Sequence, residues 1–112
     1  MSVNSIAYSG IVAAKQQLSV SANNVTNSDT ESYEAQRLNI KAVESGGVTT
    51  SPQEFEDPKD LYDRDGHLPD HSNVDLATEF IEQLRAEMAI DVNSKIIHTA
   101  NEMVGNLVDE AV

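Results

Sequence analysis

The 112-residue chain has no cysteine and no tryptophan. The first absence excludes disulfides and thiolate metal sites. With two Phe and three Tyr as its only rings, a compact monomer of this size would bury limited surface. Proline is scarce and confined to Pro52, Pro58 and Pro69, and beyond Val74 the only glycine is Gly105. Cations are few, seven Lys and Arg against nineteen Asp and Glu, for a net charge of −12. That balance argues against nucleic acid, which basic patches bind. The densely acidic middle of the chain reads as a solvated surface that aids solubility. No apolar run approaches the roughly 20 residues of a membrane span. The N-terminus lacks a basic n-region and a continuous apolar h-region, so it does not read as a cleavable signal. A cytoplasmic protein, or one exported by an uncleaved route, is expected.

What is present is long periodic helix. From Ser72 to Glu110 nothing breaks the pattern, which predicts one helix of thirty-odd residues, about 50 Å long. Helices much longer than 25 residues suggest a coiled coil or an assembly. Ile81, Val92 and Met103 recur every eleven residues, as do Arg85, Ile96 and Leu107, and Ala86, Ile97 and Val108. An eleven-residue repeat keeps a packing seam nearly straight or drifting right-handed. Two apolar flanks result. Leu84, Met88, Val92, Ile96, Met103 and Leu107 are expected to face an intrachain partner. Ile90, Ile97, Val104 and Val108 are expected to meet adjacent subunits. A helix with one neighbour needs one stripe; this one needs at least two.

Residues 3–27 read as the first helix. Ala7, Ile11, Ala14, Leu18, Ser21 and Val25 fall at alternating spacings of three and four. A weaker stripe, Ile6, Ala13 and Val20, lies on another face. The only charge before Ser28 is Lys15. A polar but uncharged helix suits packing against neighbours, where an unpaired buried charge is costly. Asn23-Asn-Val-Thr-Asn-Ser-Asp-Thr ends the helix by competing for its backbone. Its Asn24-Val-Thr sequon is read as chance. Residues 33–43 partly alternate, and Ser45-Gly-Gly followed by Val48-Thr-Thr predicts a hairpin turn and return strand. A lone hairpin is marginal in water, so it must lean on the helices or on another subunit. Residues 52–60 read as an acidic loop and Asp65-Gly66 as a tight turn. Ser72 with Asp75 fits a capping box, and Asp75 is an equally good N-cap.

The fold class expected is mainly α: long N- and C-terminal helices pairing as a coiled-coil-like hairpin, with a small β-hairpin and loop between them. Residues 1–33, 34–72 and 73–112 form one structural unit. Chemistry finds little support. His67 and His71, with Asp65 and Asp70, lack regular ligand spacing and read as a polar turn. Counting from Gly66 puts Leu61 and Ser72 at ligand positions of a calcium loop, which excludes an EF-hand. No pair of carboxylates is placed in an apolar pocket, and no nucleophile elbow or phosphate loop is present. His98 faces Glu102 at i,i+4 as a surface contact. No catalytic, cofactor or metal residue is expected.

The ends resemble a known family. Ser21-Ala-Asn-Asn-Val-Thr-Asn-Ser-Asp-Thr-Glu-Ser-Tyr is similar to the N-terminal motif of bacterial flagellar rod and hook proteins. Ser72-Asn-Val-Asp-Leu-Ala-Thr-Glu-Phe-Ile and Ala86-Glu-Met-Ala-Ile-Asp-Val-Asn-Ser-Lys-Ile-Ile-His-Thr-Ala-Asn-Glu-Met resemble their C-terminal motif. Asp63-Arg-Asp-Gly-His is similar to a segment of the proximal rod proteins of the FlgC type. The resemblance implies a non-enzymatic structural subunit of the basal-body rod, located in the periplasmic part of the flagellum. It implies polymerisation through the terminal helices, export by the flagellar type III apparatus without cleavage, and no cofactor. The implied partners are the chain itself, other rod subunits and the export apparatus. The chain departs from the family in three places, one of them a middle shorter than in most rod subunits. The Pro-Gly of the N-terminal motif is Glu31-Ser32 here, which predicts a different turn. Glu87-Met-Ala replaces an Arg-Ala-aromatic triplet. A non-polymerising helical-hairpin adaptor is the alternative reading, and a metal-binding protein using His67 and His71 a weaker third.

Overall fold

A computed structural model of the protein describes residues 2–54, 72 and 74–111. Four elements follow in order: helix α1 (Val3–Thr26), strands β1 (Gln36–Ala42) and β2 (Val48–Glu54), and helix α2 (Leu76–Ala111). The fold is mainly helical with one small antiparallel hairpin, as the periodicities predict. The acidic loop beyond Glu54, the Asp63-Arg-Asp-Gly-His segment and the His67 and His71 turn lie outside the described residues.

Each boundary has a local cause. Ser2 caps α1, its Oγ accepting from the Ser5 N–H at 3.2 Å. At the far end the Thr26 hydroxyl donates back to the Ala22 carbonyl, and the Asn27 side-chain amide donates to the Asn23 carbonyl. The polar cluster thus takes up the carbonyls that a continuing helix would use. Asp75 is the N-cap of α2, its Oδ1 accepting from the Ala77 N–H at 3.0 Å. Ser72 does not close a capping box: its hydroxyl donates to the Ser28 carbonyl at 2.5 Å, tying the approach to α2 onto the end of α1. The hairpin turns at Gly46 and Gly47, both with positive φ (99° and 82°), a conformation glycine reaches without a Cβ clash. β2 runs through Pro52, which pairs with Leu38, so part of the expected loop is strand. Proline is tolerated there because β2 is an edge with its outer side unpaired.

The two helices lie antiparallel. The Asn4 side chain donates to that of Asn101, Gln17 to Glu82, and Ser21 to the Glu79 carbonyl. The hairpin lies along a second face of α1. The Gln36 N–H donates to Asn24 near one end, and the Val48 N–H to Ser9 near the other. The Thr50 hydroxyl donates to the Gln16 side chain between them. α1 is therefore the middle layer, with α2 on one side and the hairpin on the other.

The apolar core differs from expectation. Among the described residues, the fully buried apolar side chains are all alanines: Ala7, Ala13, Ala14, Ala35 and Ala86. Ala13, from the weaker α1 stripe, is buried, Val20 is half-buried and Ile6 is exposed. Each buried alanine contributes on the order of 1 kcal/mol or less, against roughly 1.5–3 for a large aliphatic. Small residues allow close approach instead. A Cβ added at Gly10 would sit 2.7 Å from the Asn93 side chain.

The altered N-terminal motif contains a left-handed residue. Ser32 has φ 58°, so serine occupies a conformation that costs an L-residue about 1 kcal/mol. The residue bears the strain of that conformation. Ser32→Gly is expected to raise stability by up to about 1 kcal/mol, measured by urea melting. An unchanged or lowered midpoint would show that the turn carries no strain.

Candidate functional site

Two features stand out: a polar junction where the ends of the helices meet the hairpin, and an uncovered apolar surface along α2.

The junction centres on Glu79, one turn into α2. It is fully buried, as is Asn24. Its Oε1 accepts from Arg37 Nη1 of β1 at 2.5 Å and from Asn24 Nδ2 of α1 at 3.1 Å. Asn24 does more than meet Glu79. Its Nδ2 also donates to the Gln36 carbonyl at 2.8 Å, while its Oδ1 accepts from the Gln36 N–H at 2.9 Å and from the Tyr33 hydroxyl at 3.0 Å. One amide thus reads both backbone groups of the first residue of β1. Ser21 donates to the Glu79 carbonyl and accepts from Gln83 Nε2 at 3.2 Å. Glu79 Oε2 is buried without a hydrogen-bond partner among the described residues. A carboxylate taken from water needs such partners, since its desolvation exceeds what one cation returns.

Sequence reasoning placed Ser21 on the α1 stripe but did not single out Asn24, Arg37 or Glu79. A signal was available. Glu79, Ala86, Asn93 and Ala100 recur every seven residues, which puts an acid on the line of the smallest side chains. Ala7, Ala14 and Ser21 are its counterpart on α1.

Along the helices, burial within one chain divides the flanks as follows. Ile90 and Ile97, assigned to neighbouring subunits, are half-buried in the α1-facing arc with Ala86 and Asn93. Leu84, Met88, Val92, Ile96, Met103 and Leu107, assigned to α1, are each 40–66% exposed. On α1, Ala7 and Ala14 are buried, Ile11 and Leu18 half-buried, and Val25 exposed. The physical reason is the approach distance. Ala7, Gly10 and Ala14 bring α1 close only to small residues, and Glu79 must turn inward to reach its donors. Ile97→Asp would therefore disturb the hairpin of helices itself rather than a contact between copies.

α2 also outruns its partner. It has 36 residues to the 24 of α1, a difference of about 18 Å at 1.5 Å per residue. Val3 shares one shallow apolar depression with Ile96, Ala100, Met103 and Leu107. Val104, which also lines it, and Val108 beyond are 60% and 57% exposed. They continue the α1-facing arc past the point where α1 begins. Soluble monomers rarely leave an apolar surface of this continuity uncovered.

Two ion pairs lie on the exposed surface of α2. Lys95 pairs with Asp91 and His98 with Glu102, both at i,i+4. Among the described residues no three His, Cys, Asp or Glu gather as a metal site, and no helix is long and apolar enough to cross a membrane.

Comparison with known families places the C-terminal segment. Residues 65–110 match the family described as Flagellar basal body rod FlgEFG protein C-terminal. The matched span takes in nearly all of α2 and is less than half of the chain. It supports a place among the flagellar basal-body rod proteins and does not single out the FlgC type. No curated protein matches the chain.

Asn24→Ala removes bonds to Glu79, Gln36 and Tyr33 at once. It is expected to cost about 2–3 kcal/mol, the range for buried groups left unpaired beside a charge. Chemical melting checks the magnitude. Asn23→Ala, one residue away and exposed, is expected to cost less than about 0.5 kcal/mol.

Proposed function

We propose that the chain is a non-enzymatic structural subunit of the bacterial flagellar basal-body rod, polymerising through its terminal helices. The observation that carries this reading is the apolar overhang of α2. It continues the groove that α1 fills and is left open within one chain. The resemblance of both end motifs and the family match over residues 65–110 support it. In this reading the chain is exported by the flagellar type III apparatus without cleavage and joins itself and other rod subunits in the periplasmic rod. The FlgC-like placement rests on Asp63-Arg-Asp-Gly-His and the short chain. Ala7, Ile11, Ala14, Leu18 and Val25 with Ile90 and Ile97 serve helix pairing. Leu84, Met88, Val92, Ile96, Met103, Val104, Leu107 and Val108 serve contacts between subunits.

Charge suggests the polarity of those contacts. The end of α2 carries Glu102, Asp109 and Glu110 and no Lys or Arg beyond Lys95, so two such ends repel. The outer face of α1 is nearly uncharged and exposes Tyr8 and Val12 beside Val48 and Thr49 of β2. The overhang of one copy on that face of the next is a heterologous contact, which grows without closing.

The test is sedimentation across concentration at moderate salt, which screens the net charge of −12. Growing oligomers are expected. Leu107→Asp and Val12→Asp should each remain monomeric and helical alone, yet form one-to-one pairs when mixed. Growth of the unaltered chain without pairing of the mixture would exclude this polarity but not polymerisation. A chain that stays monomeric at every concentration would overturn the polymer reading and favour the helical-hairpin adaptor.

A further inference from the structure

We infer that the Glu79 junction sets the register of the two helices and makes hairpin docking part of the same event. The seam between α1 and α2 is close to degenerate. Small or short side chains repeat every seven along both helices: Ala7, Ala14 and Ser21 on one, Ala86, Asn93 and Ala100 on the other. Sliding one helix by seven residues, about 10 Å, would again set small residues against small. Apolar burial therefore discriminates poorly between registers.

The polar junction discriminates sharply. A slide of seven residues takes Glu79 away from Asn24 and from Arg37 on the hairpin; where the slide draws Glu79 further along α1, its carboxylate is left in the seam without those donors. An unpaired buried charge is among the most costly defects a fold can hold. A single polar group in an apolar seam is a known way of fixing register. The hairpin is included because two donors bridge the elements. Asn24 holds Gln36 by both backbone groups, and Arg37, the next residue, reaches Glu79. Undocking β1 strips the carboxylate of its cation. Seating α2 in the wrong register strips the hairpin of its anchor. The Gly10 notch, filled by Asn93, adds a steric contribution midway along the seam but involves no hairpin residue.

The absence of cysteine makes register directly readable. Asn4→Cys with Asn101→Cys places two thiols where the side chains now share a 3.1 Å hydrogen bond. Asn4→Cys with Ser94→Cys or Val108→Cys reports registers shifted by seven. In the otherwise unaltered chain the 4–101 pair is expected to cross-link at least tenfold faster than either shifted pair. In Arg37→Met/Glu79→Met, which replaces the charges with apolar bulk, helicity should persist. The preference should fall to within about twofold, and amide exchange in β1 and β2 should rise with it. Glu79→Gln, which keeps the hydrogen-bonding shape, should retain the preference. A double variant that folds with the preference intact overturns the inference. So does one that fails to fold, because the junction would then supply stability rather than register. Loss of preference with hairpin exchange unchanged overturns the coupling. None of these outcomes depends on whether the chain polymerises.

Discussion

The fold depends on one electrostatic constraint, that the carboxylate of Glu79 be buried and still be met by donors. The side-chain donors that meet it lie outside α2. They come from α1 through Asn24 and from β1 through Arg37. Three segments distant in sequence are therefore required at one point. The elements differ in what else holds them. α1 and α2 share a long seam, whereas a two-stranded sheet has no core of its own. For the hairpin, the junction and a few polar contacts to Ser9 and Gln16 are the main anchorage.

The apolar side of the structure is built the opposite way. Its buried members are alanines, while eighteen larger apolar side chains stand exposed among the described residues. A fold selected for stability as an isolated monomer would bury the larger ones, since each contributes more. Here close approach of the helices takes the small residues, and the large ones remain for surfaces that one chain does not cover. The arrangement suits a subunit whose stability is completed by neighbours.

The elements were legible because their causes are local. The seven-residue stripe of α1, Ser45-Gly-Gly at the turn, and the unbroken run to Glu110 each act within a few residues. Asp75 as N-cap was legible as one of two options, and the other failed because Ser72 is drawn to Ser28, 44 residues away. The flanks of α2 were not legible for a related reason. A helix with two apolar arcs does not say which one its partner chooses, and hydrophobicity favours the larger side chains. What decided was the partner, since Ala7, Gly10 and Ala14 accept only a close neighbour. Ser32 shows the same limit. Its residue type argued against a left-handed turn, yet Asn24 fixes Tyr33 and Gln36 on its far side, and the chain between must follow.

The two periodicities of α2 now have separate roles. The line facing α1 recurs every seven residues, through Glu79, Ala86, Asn93 and Ala100. Ile81, Val92 and Met103 recur every eleven and are all exposed. A seven-residue seam favours left-handed winding and an eleven-residue seam a slight right-handed one. A single helix cannot follow both. The conflict is smallest when α2 stays nearly straight, with the shorter α1 seam drifting a little across it. Over the 24 residues of α1 that drift is about 20° per seven residues, which a seam of alanine, glycine and asparagine tolerates because small side chains leave few ridges to clash. The eleven-residue stripe then keeps to one side of the helix for its whole length. A straight helix with a straight apolar stripe is what stacking against further helices requires, and the small residues of the intrachain seam are what permit it.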